Sequence, residues 1–121
     1  MKAFWIDRET NTAKVVETDG RLGDLYDMCH CRCIDIAVRS VAGRDFEFVV
    51  DDEGLLRDKP MGTAFDRSGM PQLVGSVVVF APADECGNLT GLTGTDIEVL
   101  ENNTGMALMS DMTSRTIIII D

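Results

Sequence analysis

The 121-residue sequence has a single His, a single Trp, a single Tyr, three Pro and no long apolar run. One His leaves little room for metal or acid–base chemistry built on imidazole. The longest apolar runs, residues 77–81 and 117–120, are far shorter than the ~18 residues that a membrane helix needs. The first residues reach Asp7 after only four apolar positions, whereas a signal peptide needs an apolar core of ~7–15 residues. We therefore expect a cytoplasmic protein without a membrane partner.

Basic residues are also scarce, because 11 Lys and Arg stand against 21 Asp and Glu, which gives a net charge of −10. A general nucleic-acid binder needs a basic surface for phosphate contacts, so direct nucleic-acid binding is not expected. Attachment to an anionic membrane is excluded for the same reason. The 21 acidic residues do leave a DNA mimic open, although arginines interrupt them at positions 8, 21, 32, 39 and 44.

The length predicts one domain, residues 1–121, and 45% hydrophobic residues are enough for a modest core. Alternating or wholly apolar segments predict strands, with Ile34, Ile36 and Val38 on one face of the third. Helical spacing and capping residues predict two helices, with Leu22, Leu25, Tyr26 and Cys29 facing inward on the first. We expect an α+β fold: a mostly antiparallel sheet of about five to seven strands with two short helices on one face. The predicted strands are residues 3–6, 13–18, 33–41, 45–51, 73–81, 106–109 and 116–120. The predicted helices are residues 22–28 and a second helix that begins at Thr93 or Thr95 and ends at 102. Residues 55–72 are predicted to be an irregular loop.

Five motifs occur in a recognisable order along the chain. They are the strand pair and helix of residues 3–29, Cys33-Ile34-Asp35-Ile36, Val49-Val50-Asp51-Asp52-Glu53-Gly54-Leu55-Leu56, Leu73-Val74-Gly75-Ser76-Val77-Val78-Val79, and Leu92-Thr93-Gly94-Thr95-Asp96-Ile97. In this order, residues 33–100 resemble the domain-of-unknown-function family DUF3846, small proteins of bacteria, their phages and mobile elements. The resemblance implies a mobile-element setting, and it brings no established reaction and no catalytic residues. Residues 104–121 lie beyond the resemblance and are predicted to be a C-terminal hairpin.

Cysteine and histidine occur together in one segment, where Cys29, His30, Cys31 and Cys33 are weak candidates for a metal site. Their spacing is not that of paired zinc knuckles, and Cys86 is the only distant partner, so reduced, structural thiols are the expected state. Neighbouring residues in an extended segment point to opposite faces, which argues against a Cys–His nucleophile pair. We therefore expect no catalytic residues, no metal, no cofactor and no enzymatic activity.

Acidic residues cluster at 51–53 and 58, but the calcium-loop pattern is absent, and a solvated turn explains them.

Three kinds of function remain open. The first is an interaction module that binds a host or phage protein through an acidic surface or a sheet edge, with counter-defence as one role. The second is a protein that sequesters a small ligand or nucleotide signal in a basic pocket formed by Arg39, Arg44, Arg57 and Arg67. The third is the DNA mimic.

The most β-prone segment is the tail, where Ile117, Ile118, Ile119 and Ile120 follow one another. In a strand, two of these side chains lie on each face, so an open edge would expose apolar surface and unpaired backbone. Either the strand is central in its own sheet, or a second copy covers it. We expect a homo-oligomer, most simply a dimer, with these four residues at or near the contact.

Overall fold

The secondary structure comes from a computed structural model that describes residues 1–57 and 59–121. Over these residues the chain forms nine strands, two α-helices and one 3-10 turn. In chain order the elements are β1 (Lys2–Asp7), β2 (Thr12–Glu17), α1 (Leu22–Cys29), β3 (Ile34–Val41), β4 (Arg44–Asp51), the 3-10 turn (Gly54–Leu56), β5 (Gly62–Phe65), β6 (Pro71–Val74), β7 (Val77–Phe80), α2 (Gly94–Asn102), β8 (Thr104–Leu108) and β9 (Ser114–Ile119).

The strands form two sheets. The first has five strands in the order β2-β1-β7-β4-β3, and every neighbouring pair is antiparallel. The second has the order β6-β5-β9-β8, with β5 and β9 parallel and the other pairs antiparallel. The fold is therefore α+β with mostly antiparallel pairing, as the sequence predicts.

The five-stranded sheet is buried on both faces around its central strand. All four side chains of β7 are inaccessible to solvent, and they alternate between two hydrophobic clusters. The second sheet and α2 cover one face, where the cluster includes Phe4, Phe46, Phe48, Leu100 and Ile118. Helix α1 covers the other face, where the cluster includes Ala3, Leu25, Met28, Val49 and Phe80.

The two helices therefore pack on opposite faces, and the expectation that both share one face is wrong. Each helix has an apolar stripe that must be buried, but the stripe does not say against which face. Because β7 is apolar on both sides, the sheet offers two surfaces to cover. On α1 the buried residues are Leu25, Met28 and Cys29, whereas Leu22 of the predicted inner face is exposed.

The predicted single strand over residues 73–81 is two strands in different sheets. Gly75 has φ +78°, a left-handed conformation that a residue with a Cβ rarely adopts, and it separates β6 from β7. The predicted loop over residues 55–72 also contains strand β5, which the sequence does not show. Its four residues are held by pairing with β6 and β9 rather than by local propensity.

The C-terminal tail forms a hairpin of β8 and β9, and β9 lies between β5 and β8 rather than at an edge. Ile118 and Ile120 are buried in the core, whereas Ile117 and Ile119 are half-buried. The sequence left two alternatives, a strand central in its own sheet or a strand covered by a second copy. In the structure, β9 is central in its own sheet. The side chains of Ile118 and Ile120 are therefore not available to a partner, and the dimer itself stays a prediction.

Helix α2 begins with a capping box at Thr93. The Thr93 hydroxyl accepts a hydrogen bond from the Asp96 N–H (3.2 Å), and the Asp96 carboxylate accepts one from the Thr93 N–H (2.9 Å). We expect Thr93→Ala to lower the free energy of unfolding by about 1 kcal/mol, because the Asp96 N–H at the helix start loses its acceptor. Denaturant unfolding followed by circular dichroism measures this. Thr95→Ala, two residues further along the chain, is the control. It should leave the free energy of unfolding within about 0.5 kcal/mol of the wild type. Equal effects of the two changes would contradict the capping role.

Candidate functional site

Two motifs that are far apart in the sequence meet at one end of the five-stranded sheet. Residues 51–57, here called the acidic turn, follow β4, and residues 29–33, the thiol segment, connect α1 to β3. The Asp52 N–H donates to the Cys33 carbonyl at 3.0 Å. A cavity of about 730 Å³ lies between the two segments. It is lined by His30, Cys31 and Arg32 of the thiol segment, by Glu53 and Arg57 of the acidic turn, and by Tyr26 and Asp27 of α1.

The acidic turn is held in one conformation by Asp51. Its carboxylate accepts hydrogen bonds from the Glu53 N–H (2.9 Å) and from Arg57 Nε (2.8 Å). Burial raises the pKa of Asp51, but these hydrogen bonds and the Arg57 charge outweigh burial, so the pKa lies below its usual value. The carboxylate is therefore ionised at neutral pH and fastens both ends of the turn.

Two leucines project from this fixed turn. Leu55 and Leu56 are 77% and 82% exposed, more than the other large apolar side chains described apart from Met112. The preceding Gly54 packs against β6 so closely that an added Cβ would lie 2.8 Å from Cγ2 of Val74. A groove of about 250 Å³ runs beside the leucines toward β6, and Asp52 lies on its rim. The result is an apolar projection beside the exposed Asp52 and Glu53.

The surroundings of two thiols, Cys29 and Cys31, favour the neutral form. Burial raises the pKa of Cys29 to about 12, and its Sγ donates to the Val49 carbonyl at 3.6 Å. Burial first, and then the Asp51 charge, raises the pKa of Cys31. Cys33 and Cys86 are exposed and free. A zinc ligand or nucleophile requires thiolate, which this environment disfavours. Within the described part of the chain, no three His, Cys, Asp or Glu side chains are grouped to hold a metal ion.

His30 belongs to a separate polar contact at the end of α1. Its backbone is left-handed (φ 54°), where it ends the helix, and its Nε2 lies 2.9 Å from Asp7 Oδ1. The buried Asp7 carboxylate also accepts hydrogen bonds from Ser76 Oγ (3.2 Å), Thr10 Oγ1 (3.0 Å) and the Glu9 N–H (3.1 Å). Ser76 bonds to Asp7 rather than to His30, so the three side chains do not form a nucleophile–base relay. They tie α1 to β1 and to the residue before β7.

Each of the four arginines expected to form a basic pocket has a different partner within the chain. Arg44 pairs with Asp96 (2.6 Å), Arg57 with Asp51, and Arg67 with Asp121 (3.4 Å), and Arg39 donates to the Val38 carbonyl (2.9 Å). Of these four arginines, only Arg57 lines the cavities near the acidic turn. The carboxyl group of Asp58, the fourth acid of the predicted cluster, lies outside the described residues.

A smaller cavity beside the acidic turn is lined by two cations that were not predicted from the sequence, Arg8 and Lys59, in addition to Arg57. Arg8, Arg57 and Lys59 line this space of about 130 Å³, together with Asp51. Burial, and the nearby charge of Arg115, lowers the pKa of Arg8 to about 10. The sequence contained no signal for Arg8, since its neighbours in space come from residues 51–61 and from β9. The sequence does contain a signal for Leu55 and Leu56. These two adjacent leucines follow an acidic segment and Gly54, and they fit neither a helical nor an alternating apolar pattern.

The fold and the site define a small α+β protein whose main surface feature is a fixed, acidic turn carrying two exposed leucines. Residues 1–105 match the family model described as Domain of unknown function (DUF3846), and the chain belongs to that family. The match begins at β1, well before residue 33, and ends within β8. No curated protein and no solved structure matches the chain. In the described ranges, no helix is both long and apolar enough to cross a membrane.

The Asp7 contacts generate a pH-dependent prediction. Burial raises the pKa of Asp7, but the hydrogen bonds from His30, Glu9 and Thr10 lower it below the reference value of 3.8. A lowered pKa stabilises the fold above the reference value, and this stabilisation is lost as the pH falls through the pKa of the folded state. We expect Asp7→Asn to cost about 1–3 kcal/mol of unfolding free energy at pH 7. The cost should begin to shrink below pH ~4, where the carboxyl of the unfolded chain takes up a proton, and it should vanish only below the lowered pKa of the folded state.

Denaturant unfolding of both proteins at pH 7, 5 and 3 measures this difference. Asp27→Asn serves as the control, since Asp27 is exposed. A cost for Asp7→Asn that stays constant down to pH 3 would contradict the ionised, hydrogen-bonded carboxylate.

Proposed function

We propose that the protein is a small acidic interaction module that binds a protein partner through its acidic turn. The observation that carries this proposal is the pair of adjacent leucines, exposed at 77% and 82% in a turn fixed by an ion pair. The hydrogen bonds of Asp51 and the close contact of Gly54 with Val74 hold this turn in place. Apolar side chains held in water in a fixed position are typical of a surface that a partner covers.

The surroundings of the leucines indicate the chemistry of the partner. Asp52 and Glu53 are exposed beside them, whereas Asp51 is already paired with Arg57. A partner that offers an apolar pocket with basic residues on its rim would match both features. Charge complementarity of this kind mainly raises the association rate and the specificity. The net charge of −10 would add to the attraction of a basic partner.

The family membership bears on the setting of this interaction. The resemblance to small phage and mobile-element proteins supports an accessory role in a bacterial or phage-infected cell, with a host or phage protein as the partner. Counter-defence is one role that such an accessory protein would fill. We infer no reaction for the site, because burial favours the neutral form of Cys29 and Cys31 and the His30 imidazole is hydrogen-bonded to Asp7.

A capture experiment with matched variants tests the proposal. Tagged wild-type protein is incubated with host lysate, and bound proteins are identified by mass spectrometry, against a variant that carries Leu55→Ser and Leu56→Ser. We expect a specific protein to be lost from the variant, because two apolar anchors are removed while the fold is unaffected.

Leu108→Ser is the control, since Leu108 is similarly exposed on β8, away from the acidic turn. Asp52→Asn with Glu53→Gln should weaken capture mainly at low salt, where unscreened charges matter. If the leucine variant captures the same proteins as the wild type and the control, the acidic turn is not the docking surface.

Small-ligand binding remains the alternative, and one feature favours it. His30, Arg32 and Arg57 line the cavity of about 730 Å³, and Arg57 also reaches the smaller cavity with Arg8 and Lys59. Thermal-shift measurements with pyrophosphate, nucleoside triphosphates and cyclic dinucleotides test it. A shift that Arg57→Gln abolishes would support a ligand, and no shift with any of these anions would leave the protein interaction as the function. The DNA mimic has less support, since Asp51, Asp96 and Asp121 are each paired with an arginine.

A further inference from the structure

Strand β3 is an outer strand of the five-stranded sheet, and one side of its backbone is unpaired. The register of β3 against β4 places Ile34 opposite Asp51. The Cys33 carbonyl accepts from the Asp52 N–H in this register, so odd-numbered residues bond to β4. Because hydrogen bonding alternates along an antiparallel strand, the backbone groups of Ile34, Ile36, Val38 and Ser40 face away from the sheet.

Three of these outward groups are covered from within the chain. The Ile36 N–H donates to its neighbour Asp35 (2.9 Å), and the Val38 carbonyl accepts from Arg39 (2.9 Å). Both partners are side chains beside their own backbone, on an open surface, where another donor or acceptor can replace them. The Ser40 carbonyl accepts from the backbone N–H of Asp121 (2.8 Å), which closes the strand at that end. The open stretch of edge is therefore residues 34–38.

The side chains along this stretch are apolar on one face and charged on the other. The expected inner face of the strand is in fact uncovered, since Ile36 is 45% and Val38 56% exposed on the side of α1. Helix α1 ends before it covers them. Asp35 and Arg39 project from the opposite face, four residues apart. An antiparallel copy of this segment would therefore continue both faces, the apolar one with Ile36 and Val38 and the charged one with Asp35 and Arg39.

We propose that β3 pairs with β3 of a second copy of this chain, antiparallel and across a two-fold axis at Ile36. Ile36 then lies opposite Ile36 of the second copy, and Ile34 lies opposite its Val38. The outward N–H and carbonyl groups of these residues bond to each other, and the two five-stranded sheets become continuous. Asp35 lies diagonal both to Asp35 and to Arg39 of the second copy, so each carboxylate has one like and one opposite charge beside it, and the long Arg39 side chain reaches it. Both side chains are released from their own backbone when the strands pair.

The closed end of β3 selects this register. An axis one residue further along, at Ala37, would place Ile34 of the second copy against Ser40, whose carbonyl Asp121 already occupies. The contact also differs from the expected one through the tail, since β9 is internal to its own sheet. The inference does not depend on the acidic turn or on any partner that it binds.

Sedimentation velocity over a range of concentrations tests the proposal with the full chain. We expect the wild type to form a dimer, and Ile36→Lys to remain monomeric with an unchanged circular dichroism spectrum, because two lysines would face each other at the axis. Met106→Lys is the control, since Met106 is likewise exposed on an outer strand, β8, and it should leave the dimer intact. A monomeric wild type, or a dimer that persists in Ile36→Lys, overturns the proposal.

Cysteine cross-linking tests the register separately. In a background with Cys31, Cys33 and Cys86 changed to Ser, Ile36→Cys should form an intermolecular disulfide on mild oxidation, because paired Cα atoms ~5.5 Å apart permit one. Val38→Cys should not, since it faces Ile34 of the second copy. Cross-linking of Ala37→Cys without that of Ile36→Cys would show that the register is wrong.

Discussion

Strand β7 is the element on which the rest of this structure depends. Its four residues, Val77–Phe80, have no accessible surface and divide their side chains between the two hydrophobic clusters. A strand that is apolar on both faces is stable only when both faces are covered, so the sheet needs α1 on one side and the second sheet with α2 on the other. Gly75 makes this arrangement possible, because its left-handed backbone ends β6 in one sheet and lets β7 start in the other.

The position of β7 also assembles the candidate site. Its two neighbours are β1, which ends at Asp7, and β4, which ends at Asp51. These two carboxylates hold His30 and Arg57, respectively, through side-chain contacts of 2.9 Å and 2.8 Å. The thiol segment and the acidic turn are thereby fixed at the same end of the sheet. Cys29 and Cys31 then pack in the hydrophobic cluster beneath α1, while the turn presents its leucines and the carboxylates of Asp52 and Glu53 to solvent.

Charge has two roles in this molecule. A net charge of −10 opposes non-specific association, which a protein with exposed leucines needs. Along the outer strand β3, Asp35 and Arg39 cover outward backbone groups, a common way to protect a sheet edge. These two charges are opposite in sign and lie on one face of the strand.

The sequence by itself determined the α+β class and a capped start of α2 at Thr93 or Thr95, because alternation and capping are local patterns. It also brought out the thiol segment and the acidic turn as separate motifs. Only the tertiary structure decided that the helices lie on opposite faces, that residues 73–81 divide between two sheets, that β9 is internal, and that the two motifs share one cavity. Each of these depends on pairing between strands distant in the chain, for which periodicity carries no information. The exposure of Leu55 and Leu56 has the same origin, since whether an apolar residue is buried depends on what the rest of the chain places over it.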